Sequence, residues 1–417
     1  MKVCSAVLGL VAIFSRVADA VPTWPSDIDE LEDVMFLNTG YRSRGLSAHV
    51  TPCSFSEFGV GRQTAAEWLR IGFHDMATAN AFFEPRGGID ASIGFELNSG
   101  ENIGDGFATS LQTYSNFYNS RLPMSDMIAL GVYASVRACG GPVVPMRGGR
   151  IDATAAGPLG VPQPQNGQAT FKNQFTRMGL STVDMIQMVA CGHTLGGVHS
   201  KNFPDIVPAG TAPNDFALFD STTDFDNKIA TRYINGPDTD PLAVGPVSGK
   251  NADLAVFTAD QNVTLKAMTD AATFNSMCSS ALQKMIELVP TNVTLSDIIA
   301  PYDVKPAGLQ LTLLSGGTQI KFSGDIRVRT TVSQVSSVQV VYEDRTGAAG
   351  GTITTSVSGT ANGFDDSFSV SSQPSRIEIS VAYEILVLWI QRQHTGYHFN
   401  LILHCCRNHN RGCNNNI

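Results

Sequence analysis

Arg70-Ile71-Gly72-Phe73-His74-Asp75 and Ala190-Cys191-Gly192-His193-Thr194-Leu195-Gly196 are the two stretches on which the fold turns. In the first, Arg70 and His74 stand four residues apart, so a helix places them on one face, with Phe73 beside them. A base and a permanent cation over one site can deprotonate a small molecule and stabilise the charge that results. Taken alone, the pair also fits a solvated arginine and an ordinary helix-end histidine. In the second stretch Ile186, Ala190 and His193 form an apolar i, i+4, i+7 stripe. A lone histidine at the end of such a stripe is more often a core residue than a ligand. Here it precedes the Gly196-Gly197 break, where a flat group could come close to the backbone.

Working outward, residues 26–300 read mostly as helices, around 64–76, 125–138, 170–178, 181–192 and 271–289. Ser125 and Ser181 are placed as N-caps, and Asp184 completes a capping box with Ser181. Cys139-Gly140-Gly141-Pro142 stops the helix before it. Long Gly/Pro-rich loops, such as 148–167 and 209–223, are expected to carry function. From about Ala307 the pattern changes to period two. Strands are expected at 309–313, 318–322, 326–330, 335–342, 352–357 and 377–381, separated by Gly/Ser turns. The reading is a mainly α fold: a helical domain over 21–303, then a small all-β, sandwich-like module over 304–384 treated as an accessory. Residues 385–417 hold four of the eight histidines and three cysteines, but their spacing matches no usual zinc pair. That segment reads better as sequence that is not native coding, such as a mispredicted exon, than as a metal site.

Composition narrows the partners. The 417 residues carry 28 basic and 37 acidic side chains, a net charge of -9, which makes nucleic acid a poor partner. Lys2, the apolar run Val3–Phe14 and Ala18-Asp19-Ala20 read as a secretory signal peptide over residues 1–20, so the chain is expected to be secreted and extracellular. The sequons Asn262-Val263-Thr264 and Asn292-Val293-Thr294 fit that destination. No apolar run after the leader is long enough to span a membrane, and a monomer is expected. Seven cysteines remain after the leader; an oxidising destination permits bridges, but the pairing cannot be derived from sequence.

Taken together, the two stretches resemble the haem-flanking helices of the plant-type haem peroxidase superfamily, with the nearest likeness to secreted fungal peroxidases. Other motifs follow in the family's order. Gly88-Ile89-Asp90-Ala91-Ser92 resembles its distal calcium loop, and Glu96 and Asn102 fall where it has Glu and Asn. Gly149-Arg150-Ile151-Asp152 resembles a structural motif, and Thr258-Ala259-Asp260 resembles the segment bearing the proximal Asp. The likeness covers about 28–301, not the β module. It implies haem b on His193, with Asp260 accepting the Nδ1 hydrogen bond. On the other face His74 is the acid–base group, held by Asn102, with Arg70 stabilising negative charge and Phe73 as the distal aromatic. His74 must start neutral, so activity should fall below its pKa. The resemblance implies hydrogen peroxide as the oxidant and small phenolic donors oxidised by one-electron steps through a ferryl intermediate.

The resemblance also implies calcium. A distal ion would use Asp75, Gly88, Asp90 and Ser92, and a proximal one Thr194, Asp220, Thr222 and Asp226, although the 220–226 spacing departs from the fungal pattern. Cys53–Cys139 matches a family bridge; Cys191–Cys278 is conjecture. Of the three carboxylates of manganese-oxidising relatives only Glu67 matches, with Gln63 and His199 at the other positions, so no manganese site is expected. Trp68 is expected in the core, and no surface tryptophan stands out to relay electrons from bulky lignin. By resemblance the loop Gly157–Pro162 borders the entrance. Two other classes are weighed. A non-catalytic wall or glycan-binding protein with a relic peroxidase domain would not need Arg70, His74, His193 and Asp260 together. A zinc hydrolase on His193 and His199 lacks the helical i+4 pair and the intervening Glu.

Overall fold

The structure, a computed structural model, describes residues 25–84, 86–316, 319–331, 335, 337–343, 349–372, 377–380, 385–387, 389–390 and 402–404. Residues 1–24, which include the expected signal peptide, and most of the 385–417 segment lie outside them.

The chain opens with α1 (Asp29–Phe36) and a two-residue strand β1 (Thr39–Gly40). Helices α2 (Thr64–Met76), α3 (Gly106–Tyr114), α4 (Met124–Ala138), α5 (Gln168–Met178) and α6 (Thr182–Gly192) follow. After α6 come the short antiparallel pair β2 (Gly197–His199) and β3 (Phe216–Leu218), then α7 (Lys228–Asn235), α8 (Pro241–Val244), α9 (Ala252–Phe257), α10 (Val263–Ala267) and α11 (Ala271–Ile286). Among the described residues no helix is long and apolar enough to cross a membrane.

The scaffold of the site is α2 packed on α4. The buried side of α2 holds Ala65, Trp68, Ile71, Gly72 and Met76. Gly72 is required there, because a Cβ would sit 2.5 Å from Val132 Cγ2 of α4. Trp68 is fully buried and its ring lies 4.9 Å from that of Tyr114; truncating it to alanine would cost about 3–5 kcal/mol. The N-terminus of α4 is not capped by Ser125, as the sequence suggested. Pro123 is the N-cap residue, and Asp152 reaches in to accept hydrogen bonds from Met124 N, Ser125 N and Ser125 Oγ. A local pattern cannot reveal a cap supplied from 27 residues away. The capping box of Ser181 and Asp184 on α6 forms as expected. Disulfides join Cys53 to Cys139 and Cys191 to Cys278.

The β region begins at β4 (Val304–Leu313) and continues through β5 (Gln319–Arg329), β6 (Gln339–Glu343), β7 (Ala349–Thr354), β8 (Ser356–Asn362), β9 (Ser367–Ser372), β10 (Ile377–Ser380), β11 (Ile385–Val387), β12 (Trp389–Ile390) and β13 (Ile402–His404). Its largest sheet has the order β1-β8-β9-β5-β10, with β4 also paired to β5, all antiparallel. Two expected strands, 318–322 and 326–330, are one strand, carried through by Gly324 at φ 148°. The strand β9 was missed because Ser367-Phe368-Ser369-Val370-Ser371-Ser372 looks like a Ser-rich turn until its alternation is counted.

This region is fastened to the helices. Thr39 and Gly40 pair with Asn362 and Ala361, so the helical domain lends the sheet its edge strand. Glu32 of α1 is fully buried between two cations of the β region. Lys305 Nζ donates to Glu32 Oε2 at 2.9 Å and lies 3.0 Å from Asp33 Oδ1, and Arg327 pairs with both acids. Burial alone would raise the Glu32 carboxyl, but Arg327 and then Lys305 outweigh it and hold it below the usual carboxylate range.

Candidate active site

Helices α2 and α6 face each other across a cavity of about 640 Å³. Arg70, Phe73 and His74 line it from α2, and Met188, Val189 and His193 line it from the other side. The two histidines are held alike. Nδ1 of His74 lies 2.8 Å from Asn102 Oδ1, and Asn102 in turn donates through Nδ2 to the Glu96 carbonyl at 3.1 Å. His193, the C-cap residue of α6, has its Nδ1 2.7 Å from Asp253 Oδ2 and its ring stacked on Phe219 at 4.3 Å. In both rings this leaves Nε2 without a hydrogen-bond partner among the described residues.

The carboxylate behind His193 is therefore Asp253, not Asp260. Asp253 lies in the first turn of α9, beside the C-terminus of α6, and is buried. Asp260 sits one element further on, where it accepts hydrogen bonds from Thr264 N at 2.9 Å and Thr264 Oγ1 at 2.6 Å. Both acids end an Ala-Asp pair, 252–253 and 259–260, and only the placement of α9 decides between them. A further acid, Asp240, is buried behind this pair and caps α8 through Leu242 N. Nothing in the sequence marked Asp240 or Phe219.

Burial sets the electrostatics. It lowers the His74 pKa to about 3, helped by the adjacent Arg70 charge and opposed by the bond to Asn102. It lowers His193 to about 4, opposed by Asp240, and raises Asp253 to about 7. Arg70 is brought down to about 10 by desolvation and stays protonated. Its Nη2 donates to the Ile103 carbonyl at 2.9 Å, and its guanidinium lies 4.4 Å from the Phe107 ring. The other donors of that planar group are left for the cavity.

The candidate calcium residues come together in two places. Asp75 is fully buried and accepts three backbone N–H bonds, from Asp90 at 3.0 Å, Ala91 at 2.8 Å and Ile93 at 3.0 Å. Ser92 Oγ beside it is buried without a partner, and burial followed by the nearby Asp90 pushes Asp75 up to about 8. Gly88 closes the same loop. On the proximal side Thr194 Oγ1 donates to the Asp226 carbonyl at 2.6 Å, and Thr222 N donates to Asp220 Oδ1 at 2.7 Å. Asp220 Oδ2 is buried without a partner, and burial raises that carboxyl to about 6. Among the described residues no three His, Cys, Asp or Glu side chains converge as a metal site, so each set depends on hydroxyl and carbonyl oxygens as well. Glu67 is engaged by Arg62 at 2.6 and 2.8 Å, Gln63 by the Cys53 and Thr223 carbonyls, and His199 by the Gly61 carbonyl.

The sequence model of the Peroxidase family matches residues 53–286, and the chain belongs to that family, within the plant-type haem peroxidase superfamily. It is 58% identical over 373 residues to a WSC domain-containing protein of Arthroderma benhamiae, across 87% of this chain and 52% of that protein. It is 33% identical over 142 residues to L-ascorbate peroxidase 5, peroxisomal, of Arabidopsis thaliana, across 34% of this chain and 50% of that one. To Peroxidase 22.3 of Oryza sativa subsp. japonica it is 27% identical over 267 residues, across 56% of this chain and 79% of the relative. The chain thus spans about half the length of the first two.

Proposed function

We propose that this protein is a secreted haem peroxidase that reduces hydrogen peroxide and oxidises small phenolic donors. One observation carries the reading: two histidines face one cavity from opposite helices, each fixed at Nδ1 and free at Nε2. The residues suit haem b. A neutral imidazole backed by a carboxylate is a ligand for haem iron, and the cavity is of a size that holds a cofactor. Bound there on His193, haem would supply the redox chemistry that protein side chains lack.

The rest is done by the chain. His74 is neutral at working pH, so its Nε2 can accept a proton from peroxide and return it to the departing oxygen. Asn102, accepting from Nδ1–H, fixes the tautomer that leaves Nε2 as the acceptor. Arg70 holds a positive charge where negative charge develops, in a site where desolvation strengthens the interaction. Phe73 and Phe175, with rings 6.0 Å apart, line the cavity with apolar surface. Calcium on Asp75, Gly88, Asp90 and Ser92 would lock the end of α2 that carries His74, since Asp75 is its neighbour in sequence. A second ion on Thr194, Asp220, Thr222 and Asp226 would brace the segment after His193. The orphaned Ser92 Oγ and Asp220 Oδ2 support both sites.

A visible spectrum of the haem-loaded protein tests the reading. The Soret band should shift with one equivalent of hydrogen peroxide and return when a phenol is added. A band indifferent to peroxide would overturn the catalytic reading. It would favour a non-catalytic wall or glycan-binding protein built around the β region, a reading left open by the name of the Arthroderma relative, which states no activity.

A further inference from the structure

The loop 157–164 runs along one side of the cavity with no helix or strand of its own. Left to itself such a loop would move. Here it is pinned at three points. The Glu101 carboxylate accepts Gly160 N, at 2.9 and 3.1 Å to its two oxygens, and Val161 N at 3.1 Å, while its own carbonyl accepts Gln163 Nε2 at 3.2 Å. Glu96 Oε1 accepts Gly157 N at 2.7 Å. Arg177 donates through Nη2 to the Gly160 carbonyl at 3.0 Å and to the Ala77 carbonyl, just past the end of α2, at 2.7 Å. Gly160 turns at φ 131°, and a Cβ there would lie 3.1 Å from Arg177 Nη2.

Glu101, Pro162, Gln163 and Pro164 all line the cavity, whereas Leu159 at the loop's crest is 72% exposed. Glu101 also precedes Asn102, which holds His74. One turn therefore fixes the distal base with Asn102 and the cavity's rim with the residue before it. Glu101 holds two loop amides, those of Gly160 and Val161, against one held by Glu96, so it is the main clasp.

We propose that Glu101 is a positioning residue that sets donor selectivity. By clasping Gly160 and Val161 it keeps the rim formed by Pro162 and Pro164 narrow, so that flat single-ring aromatics enter and bulkier donors do not. The inference rests on the peroxidase reading above.

The test compares E101A and E101Q with the parent. Hydrogen exchange at the Gly160 and Val161 amides is measured on each protein before any turnover. The reaction with peroxide and kcat/KM for a single-ring and a fused-ring phenol are then measured on the haem-loaded proteins. In E101A both amides should exchange faster, and the preference for the small donor should fall about tenfold, the scale of one lost pocket constraint. The rate with peroxide should stay within about twofold, because no transition-state contact is removed. E101Q, which keeps one carbonyl acceptor, should recover part of the preference. Unchanged exchange would show that Glu101 is no clasp. Faster exchange with an unchanged donor ratio would show that the rim does not select donors; both results overturn the proposal. A parent that turns over neither phenol with peroxide overturns the peroxidase reading, and the donor role of Glu101 with it.

Discussion

The two sides of the cavity use one device with different partners. Each offers a histidine on a helix with Nδ1 tied down, but the tie is a neutral amide for His74 and a carboxylate for His193. An amide oxygen fixes a tautomer and adds no charge, which suits a base that must release the proton it takes. A carboxylate raises the basicity of the ring, which suits a metal ligand. On the proposed reading, the group behind each histidine sets the character of its face.

Substitutions can break that comparison. The largest effect is expected from H74A, which should slow the reaction with peroxide by about 10³-fold, as loss of a general acid–base does. Stopped-flow mixing at one pH measures it, and a variant as fast as the parent would remove His74 from the mechanism. Next comes D253A, which should weaken retention of haem by about 10–100-fold in a transfer assay, while D260A leaves it unchanged. The reverse order would restore Asp260 as the proximal acid. N102A should cost about tenfold in the peroxide reaction, the worth of one buried hydrogen bond, without altering haem retention.

The smallest effect concerns pH. With the His74 pKa near 3, the peroxide reaction should change by less than about twofold from pH 7 to pH 5. A fall centred near 6.5 would show an unperturbed imidazole. Stability gives the same test with the sign worked out. His74 and His193 resist protonation when folded, with pKa values of about 3 and about 4, and accept it at the ordinary value when unfolded. The two histidines therefore make the haem-free protein less stable as pH falls from about 6.5 towards 4, while the raised Asp75, Asp253 and Asp220 carboxyls act in the opposite sense, so the His74 contribution is read as the difference between the parent and H74F. Urea midpoints at several pH values read this directly.

What the sequence revealed follows the range of each interaction. Arg70, Phe73 and His74 share one helix, so their relation was legible from spacing. Asn102 and His193 were found by motif; Asn102 stands behind His74, and His193 lines the cavity. Asp253 was lost because an acid 60 residues from His193 has no local signature, and a similar Ala-Asp pair stands seven residues later. Asp152 was missed as the cap of α4 for the same reason, since the sequence around Ser125 offered a nearer hydroxyl. The β alternation was visible, but not that Thr39 and Gly40 complete its sheet, because two residues carry no periodicity.

The ion cluster around Glu32 has a consequence for anyone shortening the gene. The segment matched to the family, 53–286, excludes both α1 and the strands that supply Lys305 and Arg327. A stop codon after residue 303 would keep the acids and discard the cations, and leave β1 without the strand it pairs with. The cut also removes the strands that bury Glu32, so that face of α1 is turned to water. The helical half and its β appendage thus share one buried ion cluster, and a trimmed version has to make the uncovered face of α1 compatible with water.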